Sequence, residues 1–83
     1  LDFLIPDYEI GIEVKMTRDG LKDKQIGDEL LVDIGRYKSH PKCRNFLCFI
    51  YDPNYCINNF QGLKADLESH TSDNFNIKVY ISR

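Results

Sequence analysis

The sequence predicts a small α/β domain with the element order ββαβαβ, a hairpin leading into parallel crossovers. Three observations point there. Ile26, Leu30, Ile34 and Tyr37 recur at helical spacing, with Leu31 widening the stripe. The segments 10–16 and 75–82 alternate apolar and polar residues, and 45–51 is a nearly continuous apolar run rich in aromatics. After the first pair of strands, strand and helix patterns alternate, which calls for parallel neighbours joined by right-handed connections.

Residues 1–5, Leu-Asp-Phe-Leu-Ile, read as a strand, and Pro6-Asp7-Tyr8-Glu9 as a turn in which proline sets φ early. Residues 10–16 return as the second strand. Thr17 to Lys24 is a polar loop containing Gly20. Residues 25–39 form the first helix, stopped by Pro41. The apolar run 45–51 suits a central strand covered on both faces. Asp52-Pro53-Asn54 turns the chain, 60–69 is a second helix around Leu63 and Leu67, and 75–82 ends the chain as a strand carrying Phe75, Ile77, Val79 and Ile81.

At 83 residues this is one domain, 1–83, with a modest core. A net charge of −2 provides no global basic field for nucleic acid, although local patches remain available. No apolar run approaches a membrane span and no signal peptide opens the chain, so a cytoplasmic protein is expected. Cys43, Cys48 and Cys56 lack CxxC spacing and read as reduced thiols. The chain begins inside a strand pattern, so a piece of a larger chain is expected.

The hairpin brings charged residues together. A four-residue loop at 6–9 pairs Ile5 with Ile10, Leu4 with Gly11, Phe3 with Ile12 and Asp2 with Glu13. Alternation then places Phe3, Ile5, Ile10, Ile12 and Val14 on one face, expected to be buried, and Asp2, Leu4, Gly11, Glu13 and Lys15 on the other. Asp2 and Glu13 would have Cβ atoms about 4.5–5.5 Å apart, a repulsive pairing unless something compensates. A divalent cation such as Mg²⁺ would do so, with Lys15 projecting beside it. Asp7, in the conspicuous Pro-Asp pair, belongs to the turn tip and is not chosen. The plain alternative is a polar solvent face on an edge hairpin.

Asp2-Phe3-Leu4-Ile5, Ile12-Glu13-Val14-Lys15, the basic loop and Gly27-Asp28-Glu29-Leu30-Leu31-Val32-Asp33-Ile34 resemble the PD-(D/E)XK nuclease superfamily, in its restriction-endonuclease-like members. Tyr37, His40-Pro41, Cys43 and Phe49-Ile50-Tyr51-Asp52-Pro53 are similar to the same group. The resemblance implies a four-stranded mixed sheet flanked by helices, here without the helix that precedes the first strand. It implies a metal-dependent endonuclease acting on DNA, in restriction or phage defence, with Asp2 and Glu13 as Mg²⁺ ligands and Mn²⁺ as a possible substitute. Lys15 would assist the attacking water and offset phosphate charge. Gln25 or Glu29 would brace the site from the next helix, and a homodimer would cut both strands.

Arg18, Lys22 and Lys24 follow the candidate catalytic strand and are candidate DNA phosphate contacts, with a solvated loop as the alternative. Arg36, Lys38, Lys42 and Arg44 read as cations complementing a helix end. His40 and His70 read as helix-end residues. Tyr8, Tyr51, Tyr55 and Phe60 read as core and turn packing. Two other functions stay open: an inactive nuclease-fold module that binds nucleic acid or a protein, and a small α/β interaction domain.

Overall fold

The computed structural model describes residues 3–83. The elements are β1 (Phe3–Ile5), a 3-10 turn (Pro6–Tyr8), β2 (Ile10–Met16), α1 (Asp23–Lys38), β3 (Asn45–Tyr51), α2 (Phe60–Glu68) and β4 (Asn76–Ser82). The strands form one sheet in the order β1-β2-β3-β4, with β1 antiparallel to β2 and the others parallel. This is the expected order and a mixed four-stranded sheet.

Local chemistry accounts for the boundaries. Glu9, at φ 56°, closes the turn in the left-handed region, and its N–H donates to the Pro6 carbonyl. Helix α1 starts earlier than expected because the Gln25 side chain accepts from the Lys22 N–H at 2.8 Å. The Asp23 carboxylate accepts from Asn58 and Asn59 N–H, each at 2.9 Å, tying the start of α1 to the entry of α2. Asn59 in turn caps α2 by accepting from the Gly62 N–H. His40 and His70 follow the two helix ends, as expected.

The hairpin register is the expected one, with Phe3 opposite Ile12, Leu4 opposite Gly11 and Ile5 opposite Ile10. The expectation that Asp2 opposes Glu13 falls outside the described residues. The assignment of the faces, however, is reversed. Two right-handed crossovers stepping the same way across a sheet put both helices on one side. That side carries Gly11, Glu13 and Lys15 of β2, in register with Phe46, Cys48 and Ile50 of β3 and with Ile77, Val79 and Ile81 of β4. Against it pack Ile26, Leu30, Ile34 and Tyr37 of α1 and Leu63 and Leu67 of α2.

The all-apolar face of the hairpin therefore points away from the helices. Phe3 is 58% exposed and Val14 52%, and Met16, Phe49, Tyr51 and Tyr80 share this open side. The central strand β3 is likewise covered on one face, not two. Its Phe49 ring stacks on Tyr80 at 5.2 Å on the uncovered side. Tyr8, Tyr51, Tyr55 and Phe60 are exposed rather than packed in the core. The hairpin's own polarity could not choose the buried side, because the residues that bury it come from helices later in the chain.

The C-terminal ends of three strands meet at a buried carboxylate. Asp52 accepts from the Thr17 hydroxyl at 2.7 Å and from the Cys56 and Ile57 N–H groups at 2.8 and 3.1 Å. Arg83 pairs with it at 3.3 Å and lies over the Tyr55 and Phe60 rings. Cys43 and Cys48 are buried, and all three thiols are free.

Candidate active site

The helix-facing side of β2 carries the charged residues singled out from the sequence. Glu13 and Lys15 lie on the same face, and both are half-buried. The Lys15 ammonium forms an ion pair with the Glu29 carboxylate of α1. Its side chain is only 19% exposed. Arg18 approaches the same carboxylate at 3.8 Å. The Lys15 hydrogen bond, reinforced by the Lys15 and Arg18 charges, holds the Glu29 carboxyl below the ordinary glutamate range despite some desolvation.

Tyr37, fully buried on α1, donates its hydroxyl to the Ile12 carbonyl at 2.7 Å and approaches Glu13 Oε1 at 3.3 Å. Glu29 and Tyr37 are eight residues apart and meet opposite ends of the Gly11–Lys15 segment, so α1 runs antiparallel to β2. One helix row, Glu29-Asp33-Tyr37, therefore tracks the strand. Asp33 sits between the other two on this row. It lines a pocket of about 260 Å³ together with Lys15, Glu29, Val32 and Arg36, and Arg36 reaches its carboxylate at 3.7 Å.

The remaining sequence candidates divide. Glu29 reaches Lys15, whereas Gln25 is used in the cap of α1. Arg18 adjoins Glu29 from the loop after β2. Lys22 stands at the N-cap of α1, and Lys24, expected in the loop, lies in the first turn of the helix. Lys24 lines a different groove, between α1 and α2, of about 280 Å³. Asp7 lies exposed in the turn at the hairpin tip. Asp2 is outside the described residues, and among the described ones no three His, Cys, Asp or Glu side chains cluster as a metal site.

The helical spacing places Tyr37 in the core stripe but says nothing of its hydroxyl, and it gives Asp33 no role. A signal for Tyr37 was present in Gly11. A lone glycine inside a strand marks a close approach. A Cβ at Gly11 would stand 2.1 Å from the Tyr37 ring, so only glycine lets that ring lie over the strand.

The donor set suits a small hard cation. Mg²⁺ takes one or two carboxylates and completes its shell with water and substrate phosphate, so it does not need a closed cage of side chains. Glu13 offers one carboxylate among the described residues, with an ammonium two positions along the same face. No helix among the described residues is long and apolar enough to cross a membrane.

No curated protein and no solved structure is significantly similar. The family model described as REase_DpnII-MboI matches residues 1–83, the whole chain. A mixed sheet presenting an acid and a lysine on one strand face, under a helix that pairs the lysine, thus sits in a chain that belongs to the DpnII–MboI restriction endonuclease family.

Proposed function

We propose that the chain is a Mg²⁺-dependent endonuclease domain that hydrolyses DNA phosphodiester bonds in restriction or phage defence. It works through a PD-(D/E)XK-type set in which Asp2 and Glu13 hold the metal and Lys15 serves the phosphate. The observation that carries this reading is the placement of Lys15. Its ammonium is half-buried, on the same strand face as Glu13, and held by Glu29. Bound Mg²⁺, or Mn²⁺ in its place, supplies Lewis-acid polarisation and a more acidic water.

The chain's own groups do the rest. Lys15 donates to a phosphate oxygen as negative charge builds in the transition state, which a preorganised donor stabilises far more than a mobile one. Glu29 keeps that ammonium oriented in the absence of substrate. Arg18 lies close enough to follow the same phosphate backbone, and Lys22 borders it at the helix entry; such contacts set register without reading sequence. Two copies acting together would cut both strands.

Nicking of supercoiled plasmid DNA tests this. Cleavage is expected with Mg²⁺ or Mn²⁺, lost in EDTA and lost in Lys15→Ala. Robust cleavage by Lys15→Ala refutes the mechanism. Metal binding measured by calorimetry should vanish in Asp2→Ala and persist in Asp7→Ala. DNA binding with no cleavage under any metal would instead mark a module that kept the fold and lost the chemistry.

A further inference from the structure

We propose that Tyr37 is a positioning residue for the Glu13 carboxylate, and that Gly11 is glycine in order to admit it. The inference rests on the reading of Glu13 as a metal ligand. Three observations support it. The Tyr37 side chain is fully buried, yet its hydroxyl is not lost in the core: it donates to the Ile12 carbonyl at 2.7 Å and stands 3.3 Å from Glu13 Oε1. The ring packs against Phe46 at a centroid distance of 4.6 Å and over the bare backbone of Gly11, the residue paired with Phe46 across the sheet. The same helix row that delivers Tyr37 delivers Glu29 to Lys15, so one rigid element sets both charged groups of β2.

A ligating carboxylate with a second partner loses rotamer freedom before the metal arrives. Outer partners of this kind typically contribute about 10–100-fold to metal affinity. A tyrosine is a suitable partner. Its ring is fixed by packing, and its hydroxyl can follow the carboxylate without carrying a charge of its own. The single hydroxyl proton is shared between the Ile12 carbonyl at 2.7 Å and Glu13 Oε1 at 3.3 Å, so strand and carboxylate are located together.

Tyr37→Phe deletes the hydroxyl and keeps the ring. Mn²⁺ binding is followed by calorimetry on the whole chain, with thermal melting in EDTA alongside. The expected result is Mn²⁺ affinity at least about 10-fold weaker, with a metal-free melting temperature lowered by only a few degrees. The comparison variant is Phe46→Leu, which loosens the same seam but leaves the hydroxyl in place. It should lower the melting temperature by more and leave Mn²⁺ affinity within about 2-fold of the parent chain. Gly11→Ala, which must displace the ring, should weaken binding at least as much as Tyr37→Phe.

Unchanged Mn²⁺ affinity in Tyr37→Phe overturns the inference alone. So does an equal loss in Phe46→Leu, which would make the effect one of general packing. A parent chain that binds no Mn²⁺ overturns the metal reading of Glu13, and the inference with it.

Discussion

Replacing Asp52 by alanine removes the acceptor that joins the C-terminal ends of β2, β3 and β4. Four donors lose this acceptor: the Thr17 hydroxyl, left with a long 3.4 Å contact to the Tyr51 carbonyl, the Cys56 and Ile57 N–H groups, and the Arg83 guanidinium, which keeps the Ile57 carbonyl. Thr17 and Ile57 are 5% and 2% exposed, so water cannot easily replace the carboxylate there. Each orphaned buried donor costs about 1–3 kcal/mol, while Cys56 and Arg83 can recover water and the burial cost of the carboxylate is returned. The net loss is about 3–4 kcal/mol, a large share of the roughly 4–12 kcal/mol expected for a chain of this length. At about 4–8 °C per kcal/mol, the melting temperature should fall by at least about 12 °C.

The same site has a pH signature. Burial pushes the Asp52 carboxyl up. The bonds from Thr17, Ile57 and Cys56 and the charge of Arg83 outweigh it and hold the folded-state value below the ordinary aspartate range. Between the folded and unfolded values the unfolded chain binds more protons, so stability rises with pH in that window. The contribution is complete above about pH 5 and is lost as pH falls through the folded value. Glu68, hydrogen-bonded by the Val79 N–H and paired with Lys64, shifts in the same direction. Thermal melts followed by circular dichroism from about pH 3 to about pH 7 would show a steep acid limb in the parent chain and a shallower one in Asp52→Ala. A melting temperature for Asp52→Ala within about 4 °C of the parent at neutral pH would refute the reasoning, since the orphaned donors would then have found other partners.

Two further outcomes can be checked. Glu29→Gln keeps the shape of the side chain but removes the charge that holds Lys15, so nicking should slow by about 10-fold or more while the fold survives; undiminished nicking would mean that Lys15 is positioned without it. The open sheet face should make the chain self-associate as its concentration rises, and Phe49→Lys should reduce the average mass in sedimentation equilibrium; a parent chain that stays monomeric at every concentration would show that this face is tolerated by water.

The element order, the hairpin register and the candidate pair Glu13 and Lys15 were legible in the sequence. Turn length and alternation are local, and a two-residue period fixes which side chains share a face whatever lies above it. Glu29 was legible as a residue near a helix start, without its partner. Which face would be buried was not legible. A hairpin with five apolar residues on one side looks as though that side must be the inner one. The crossovers decided otherwise by placing both helices on the side of the sheet that carries Gly11, Glu13 and Lys15, with α1 over those residues and α2 over β4. Tyr37 and Asp52 were hidden for a similar reason. Each reads locally as an ordinary helix or turn residue, and its role arises from polar groups many positions away: Ile12 and Glu13 for one, Thr17 and Arg83 for the other. Local periodicity is a property of the chain, whereas the partner of a buried hydroxyl or carboxylate exists only once distant segments have been brought to the same place.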